Sequence, residues 1–183
     1  WQTTITYRLR RTGCLRKKAF DMKDKEIKTN VMRILEQKRV PYTPHEYEHG
    51  DGAVDGVTVA RMLGQDPAAV FKTLVTKGAG GGYFVFVVPV AETLDLKKAA
   101  KAAGEKSVTM LHVSEINNVT GYVRGGCSPV GMKKQFPTVF DGSCLLQRTI
   151  MVSAGKIGYQ IEAEPRKLME LTRASAADII VKD

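Results

Sequence analysis

The chain is expected to fold as an α+β domain built on a mixed, largely antiparallel sheet with flanking helices. Three observations lead there. Segments with helical spacing alternate irregularly with strand-like segments, without strict βαβ order. Two strand-like runs flank the glycine-rich turn at residues 78–82, as in an antiparallel hairpin. No stretch repeats another.

The elements follow in order. Thr29 or Asn30 can cap a helix whose apolar residues Val31, Ile34 and Leu35 share one face, ending near Val40 because Pro41 disfavours helix before it. Residues 41–48 read as extended. A short helix is expected over 57–63 with Gly64 as its stop. Residues 71–76 and 83–90 are the two hairpin strands, the second apolar on both faces and so buried. Leu96, Ala99, Ala100 and Ala103 recur at i, i+3, i+4 and i+7, which predicts a helix over 95–103 closed by Gly104. Lys97, Lys98 and Lys101 fall on its opposite, solvated face. A weaker helix is read at 114–119, a Gly/Pro loop at 121–131, and short strands near 138–141, 149–152 and 158–162. A helix at 165–171 and a closing strand at 177–181 complete the fold.

With 183 residues, 43% of them hydrophobic, one domain can bury roughly 70% of its unfolded surface and needs no disulfide or metal staple. The longest apolar run, 83–91, contains Pro89 and falls well short of the roughly 20 residues of a membrane-spanning helix. Three cysteines, Cys14, Cys127 and Cys144, form no CxxC pair, which fits reduced thiols and a cytoplasmic location. The formal charge is +9, but much of it sits in the first 21 residues, and the remainder is only mildly basic. Residues 1–21 show no periodicity and no signal-peptide core. They are read as an appended or upstream-translated extension, with a basic arm for nucleic acid as the functional alternative. Residues 22–183 are expected to form a single domain.

Two motifs invite a reading that the residues around them oppose. His45-Glu46-Tyr47-Glu48-His49 matches HExxH, a zinc-protease motif that needs both histidines on one helix face. Prolines and glycines bracket it, and on a strand positions i and i+4 lie about 13 Å apart, too far to share a metal. A zinc site is rejected. Gly126 and Gly131 have P-loop spacing, but Met132 and Lys133 occupy the Lys and Ser/Thr positions, so the magnesium ligand is missing.

Two other features can carry chemistry. In the loop Gly121-Tyr122-Val123-Arg124-Gly125-Gly126-Cys127-Ser128-Pro129-Val130-Gly131, adjacent glycines let a ligand approach the main chain. Their amides can face a carbonyl or phosphate oxygen, and an ordinary surface turn is the alternative. Lys72 lies inside the apolar run Val70-Phe71-Lys72-Thr73-Leu74-Val75, where period two puts it on the face of Leu74. That favours placement in a pocket, where an anionic ligand or partner would compensate its charge. No Ser-His-Asp or Cys-His set can be assembled. An enzyme built from these residues would work by positioning and backbone electrostatics.

The order of these pieces resembles the YbaK/EbsC-type prolyl-tRNA editing domains, the free-standing Cys-tRNA(Pro) deacylases. The matching segments are the helix at 29–35, His45-Glu46-Tyr47-Glu48-His49, Val70-Phe71-Lys72-Thr73-Leu74, Pro89-Val90-Ala91, Leu94-Asp95-Leu96-Lys97-Lys98, the loop 120–134, Pro137-Thr138 and Asp141. The likeness covers residues 29–183. It implies a barrel-like sheet, no cofactor and no metal, and an aminoacyl-tRNA(Pro) substrate, with prolyl-tRNA synthetase as a further partner. In the family the lysine matching Lys72 contacts the backbone of the acylated 3′ end. The GxxxP loop matches Gly125 to Pro129, which places Gly125 and Gly126 with Lys72 at the catalytic centre and Cys127, Ser128 and Pro129 beside the substrate. Tyr47, Thr73, Ser128 and Asp141 match further pocket positions. The implied reaction is substrate-assisted: the cysteinyl thiol attacks its own ester and leaves as a cyclic thiolactone. A pocket aromatic present in some members has no counterpart in Gly50-Asp51-Gly52-Ala53-Val54-Asp55-Gly56. Cysteine and alanine therefore both stand as the amino acid removed. A non-catalytic module that binds tRNA or a synthetase is the rival from another class.

Overall fold

The computed structural model of the chain describes residues 27–182. The extension read at 1–21 lies outside them. The order is α1 (Asn30–Gln37), β1 (Tyr42–Glu46), α2 (Gly56–Met62), β2 (Phe71–Gly78), β3 (Tyr83–Pro89), α3 (Leu96–Ala103), β4 (Val108–Met110), α4 (Val113–Thr120), β5 (Thr138–Asp141), β6 (Ile150–Ser153), β7 (Tyr159–Ala163), α5 (Pro165–Thr172) and β8 (Ser175–Ala177).

Local chemistry sets the helix ends. The side chains of Thr29, Asp55 and Asp95 accept hydrogen bonds from main-chain amides of α1, α2 and α3. Each such cap contributes about 1 kcal/mol. Gly104 closes α3 in the left-handed conformation, as expected. α1 stops at Gln37, earlier than Pro41 alone requires, because Arg39 takes a positive φ of 56° and turns the chain toward β1.

The strands make two sheets. β1, β7 and β6 form an antiparallel sheet in that order. β4, β2, β3, β5 and β8 form the other, in which β3–β5 and β5–β8 are parallel. Among the described residues, the strand pairing between the sheets is limited to an isolated bridge of Val70 with Met151, so the barrel-like sheet is two apposed sheets rather than a closed barrel. The hairpin is as expected, with Lys72 opposite Val88 and Thr73 opposite Val87.

The main core lies between the sheets and under α1 and α5. Val31, Leu35, Val85, Val87, Phe140, Ile150, Ile161 and Leu168 meet there with no solvent exposure. Each fully buried side chain of this kind contributes about 1.5–3 kcal/mol. The other face of the larger sheet carries Phe86, Val88 and Val139 against Ala99 and Ala100 of α3 and Ile179. Two readings of α3 change here. Leu96 is 41% exposed rather than part of the core, and Lys98 is not simply solvated: its Nζ donates to Asp178 (3.2 Å) and to the Ile180 carbonyl (2.8 Å). The closing strand also lies earlier than expected, at Ser175–Ala177. Ile179 is a core residue, while Ile180 makes only an isolated bridge to Leu94.

Candidate functional site

β4 pairs only with Thr76–Gly78 at the far end of β2. Beside the remaining part of β2 opens a cavity of about 450 Å³. Its walls come from β2 itself, the exit of β1 with α2, Val90 just past β3, the end of β4 with α4 and the loop that follows it, and the ends of β6 and β7.

Lys72 projects into this cavity from β2 with Thr73 and Leu74. It is half-buried, and its Nζ donates to the Val90 carbonyl at 3.1 Å. Burial holds its pKa below the ordinary lysine value, with Glu92 acting weakly in the opposite sense. Arg124 brings a second cation to the wall, and the lining residues include no carboxylate and no histidine.

The glycine loop reaches the cavity through Gly125. Its φ is +83°, and a Cβ there would lie 2.5 Å from the Ala53 side chain, so both backbone and space require glycine. Gly126 does not line the cavity, and its amide donates to the Val123 carbonyl at 3.0 Å. Tyr122 anchors the loop by donating its hydroxyl to the Val130 carbonyl. Gly56 opens α2 directly against Val90, where a Cβ would lie 2.3 Å from the nearest valine carbon.

Of the residues singled out in the sequence, Tyr47, Lys72, Thr73, Gly125 and Cys127 share this cavity. Burial pushes the Cys127 thiol up to about 12, despite a hydrogen bond from Thr120 that acts the other way. The rest lie elsewhere. Ser128 is wholly buried, and its hydroxyl oxygen accepts from the Val130 amide at 3.3 Å. Pro129 lines a different hollow, with Ile34 and Lys38. Asp141 is buried at the end of β5, where its carboxylate accepts from Ser143 N (3.0 Å), Ser143 Oγ (2.6 Å) and Ile179 N (3.1 Å). It fastens the C-terminal segment and does not border the cavity.

The HExxH pentapeptide runs along β1 and past its end rather than along a helix. His45 Nε2 meets Glu162 at 2.9 Å, while His49 Nδ1 meets the Gly50 carbonyl oxygen at 2.8 Å. Among the described residues, no group of three or more His, Cys, Asp or Glu side chains could hold a metal, and no helix is long and apolar enough to cross a membrane.

Arg124, which the sequence places in the glycine loop as a cationic neighbour, lines the cavity too. So do Ser153 and Gln160, which were not singled out. Ser153 and Gln160 are cross-strand partners on β6 and β7. Ser153 closes an otherwise apolar strand and Gln160 shares β7 with Glu162, so neither carries the cue that marks Lys72.

A two-sheet α+β domain with a cationic, carboxylate-free cavity walled by a glycine turn suits a ligand that presents carbonyl or phosphate oxygens. Residues 52–171 match the model of the aminoacyl-tRNA editing domain. The chain belongs to that family. It is 47% identical over 156 residues, 85% of this chain and 95% of the other, to the "Putative Cys-tRNA(Pro)/Cys-tRNA(Cys) deacylase EbsC" of Enterococcus faecalis (strain ATCC 700802 / V583). It is also 25% identical over 75% of its length to the uncharacterized protein YwhH of Bacillus subtilis (strain 168), covering 86% of that protein. Among solved structures, the "Crystal structure of a putative trans-editing enzyme for prolyl tRNA synthetase" superposes with a TM-score of 0.71 at 24% identity, covering 83% of this chain and 95% of that one. This last likeness bears on the fold.

Proposed function

We propose that the protein is an aminoacyl-tRNA deacylase acting in trans, which removes cysteine from mischarged tRNA(Pro). The observation that carries this is the meeting of Lys72 and Gly125, from β2 and from a loop far along the chain, in one cavity. Family membership and the 47% identical relative, whose name gives Cys-tRNA(Pro) and Cys-tRNA(Cys), support the substrate class.

Lys72 supplies positive charge to the phosphate and ribose end of the substrate. A half-desolvated ammonium interacts with an anion more strongly than one in bulk water. Gly125 lets the ester carbonyl approach the main chain, where amides stabilise the developing oxyanion. Tyr47, Thr73 and Cys127 line the space for the amino acid, and Ser128 and Pro129 shape the loop behind it.

The nucleophile comes with the substrate. The cysteinyl sulfur attacks its own ester carbonyl, the bond from carbonyl carbon to ribose oxygen breaks, and the thiol proton ends on the released hydroxyl. The products are a cyclic thiolactone and free tRNA. The cavity lining supports this route: it holds no histidine or carboxylate to act as base, and its one thiol is pushed up to about 12. Val54 and Gly56 line the cavity from a stretch with no aromatic residue, which leaves room beside a small side chain.

The test is hydrolysis of Cys-tRNA(Pro), Cys-tRNA(Cys) and Ala-tRNA(Pro) side by side, with the released amino acid product identified. Loss of the cysteinyl esters with thiolactone release is expected. Loss of the alanyl ester alone would remove the substrate-thiol route.

A further inference from the structure

Gln160 is only 8% exposed, yet its side-chain oxygen is buried without a hydrogen-bond partner, and the same holds for the Thr73 hydroxyl. Both residues line the cavity, from opposite walls. A buried acceptor left unpaired is unfavourable, which marks it as a place where a ligand donates.

The neighbours of Gln160 do not serve it. Its partner across β1 is His45, which is engaged with Glu162 at 2.9 Å. Its partner across β6 is Ser153, whose hydroxyl oxygen accepts from the Gly155 amide at 3.2 Å and which makes no hydrogen bond to the Gln160 oxygen. The cationic groups of the lining, Lys72 and Arg124, are donors and suit the ester and phosphate oxygens of a substrate.

An aminoacyl ester carries few donors. The ester oxygens only accept, an alanyl side chain offers nothing, and a thiol is a weak donor. The α-amino group is the strong donor of the aminoacyl part itself; the free ribose hydroxyl, the other donor at this end, lies on the tRNA side of the ester, with the groups that face Lys72. With no carboxylate among the lining residues, a neutral oxygen must receive it.

We infer that Gln160, together with the Thr73 hydroxyl, receives the substrate's α-amino group and makes the site require a free amine. This rests on the deacylase reading above and extends it. An ester whose nitrogen is acylated, as in formylated or peptidyl-tRNA, would lose that donor pattern. Gln160 is thus a specificity-determining contact that confines the enzyme to aminoacyl esters and spares peptidyl ones.

The experiment compares cysteinyl-tRNA(Pro) with N-acetylcysteinyl-tRNA(Pro) as substrates for the wild type, Gln160→Leu and Gln160→Glu, with thermal melts as a check on folding. The wild type is expected to prefer the free amine. Gln160→Leu should lower kcat/KM on the free-amine ester by roughly tenfold to a hundredfold, the effect of losing one buried hydrogen bond. Its rate on the N-acetyl ester should hold, so that the preference collapses. Gln160→Glu, close in shape and still an acceptor, should retain the preference. Equal loss on both esters in Gln160→Leu, or a wild type indifferent to acetylation, would overturn the inference while leaving the deacylase reading intact. A wild type that cleaves neither ester would remove the deacylase reading, and this inference with it.

Discussion

The Lys72 ammonium donates to the Val90 carbonyl at 3.1 Å, from a half-buried position on β2 to the end of its hairpin partner. This contact holds the ammonium at the cavity wall, where burial makes its charge cost folding energy. Burial lowers its pKa, so folding disfavours the charged form. That penalty is fully present below the folded-state pKa and disappears as pH rises from there toward the ordinary value of 10.5. At neutral pH, Lys72→Met is therefore expected to abolish deacylation while leaving Tm equal to or above that of the wild type. The gap in Tm should close at the alkaline end. A variant that is inactive because it melts well below the wild type would contradict this.

The two adjacent glycines should behave differently. Gly125→Ala forces a side chain into a positive-φ position and against Ala53, at a cost of about 1–3 kcal/mol. Gly126→Ala meets the Ile157 backbone nitrogen at 3.2 Å, without positive φ, and calls for a smaller shift. Urea unfolding and deacylation rates measured together should show the larger loss in both for Gly125→Ala.

Cys127 borders the cavity, but its thiol is held up near 12. The thiolate is the reactive form, so iodoacetamide at pH 7.5 should leave activity unchanged over times that alkylate a free thiol completely. Rapid inactivation, slowed by substrate, would instead assign Cys127 a direct chemical role.

Asp141 gives the opposite pattern to Lys72. Its carboxylate holds three donors at the end of β5. Asp141→Asn should lower stability by about 1–3 kcal/mol with kcat and KM of the folded protein unchanged. A normal melt with a raised KM would return Asp141 to the substrate site.

Local patterns in the sequence made the hairpin, the capped helices and the extended HExxH segment legible, because their causes lie within a few residues. β4 escaped notice because three residues, two of them exposed, carry no period. The parallel pairing of β5 with β3 and β8 depends on contacts remote in sequence. At 177–181, apolar Ile179 and Ile180 mimicked a strand, when what they satisfy is burial beneath α3 and a bridge to Leu94. The site divides the same way. Lys72, Thr73, Tyr47, Gly125 and Cys127 sit in stretches whose composition or resemblance drew attention. Ser153 and Gln160 reach the cavity because β6 packs against β2 and pairs with β7, contacts remote in sequence that no local pattern reveals.

The most direct test is the rate of Cys-tRNA(Pro) hydrolysis by the wild type and by Lys72→Ala, with melts recorded for both. The expected result is rapid loss of the cysteinyl ester with the wild type and loss near the buffer rate with the variant, which stays folded. Equal rates in the two proteins, or no hydrolysis by the wild type, would contradict a site centred on Lys72.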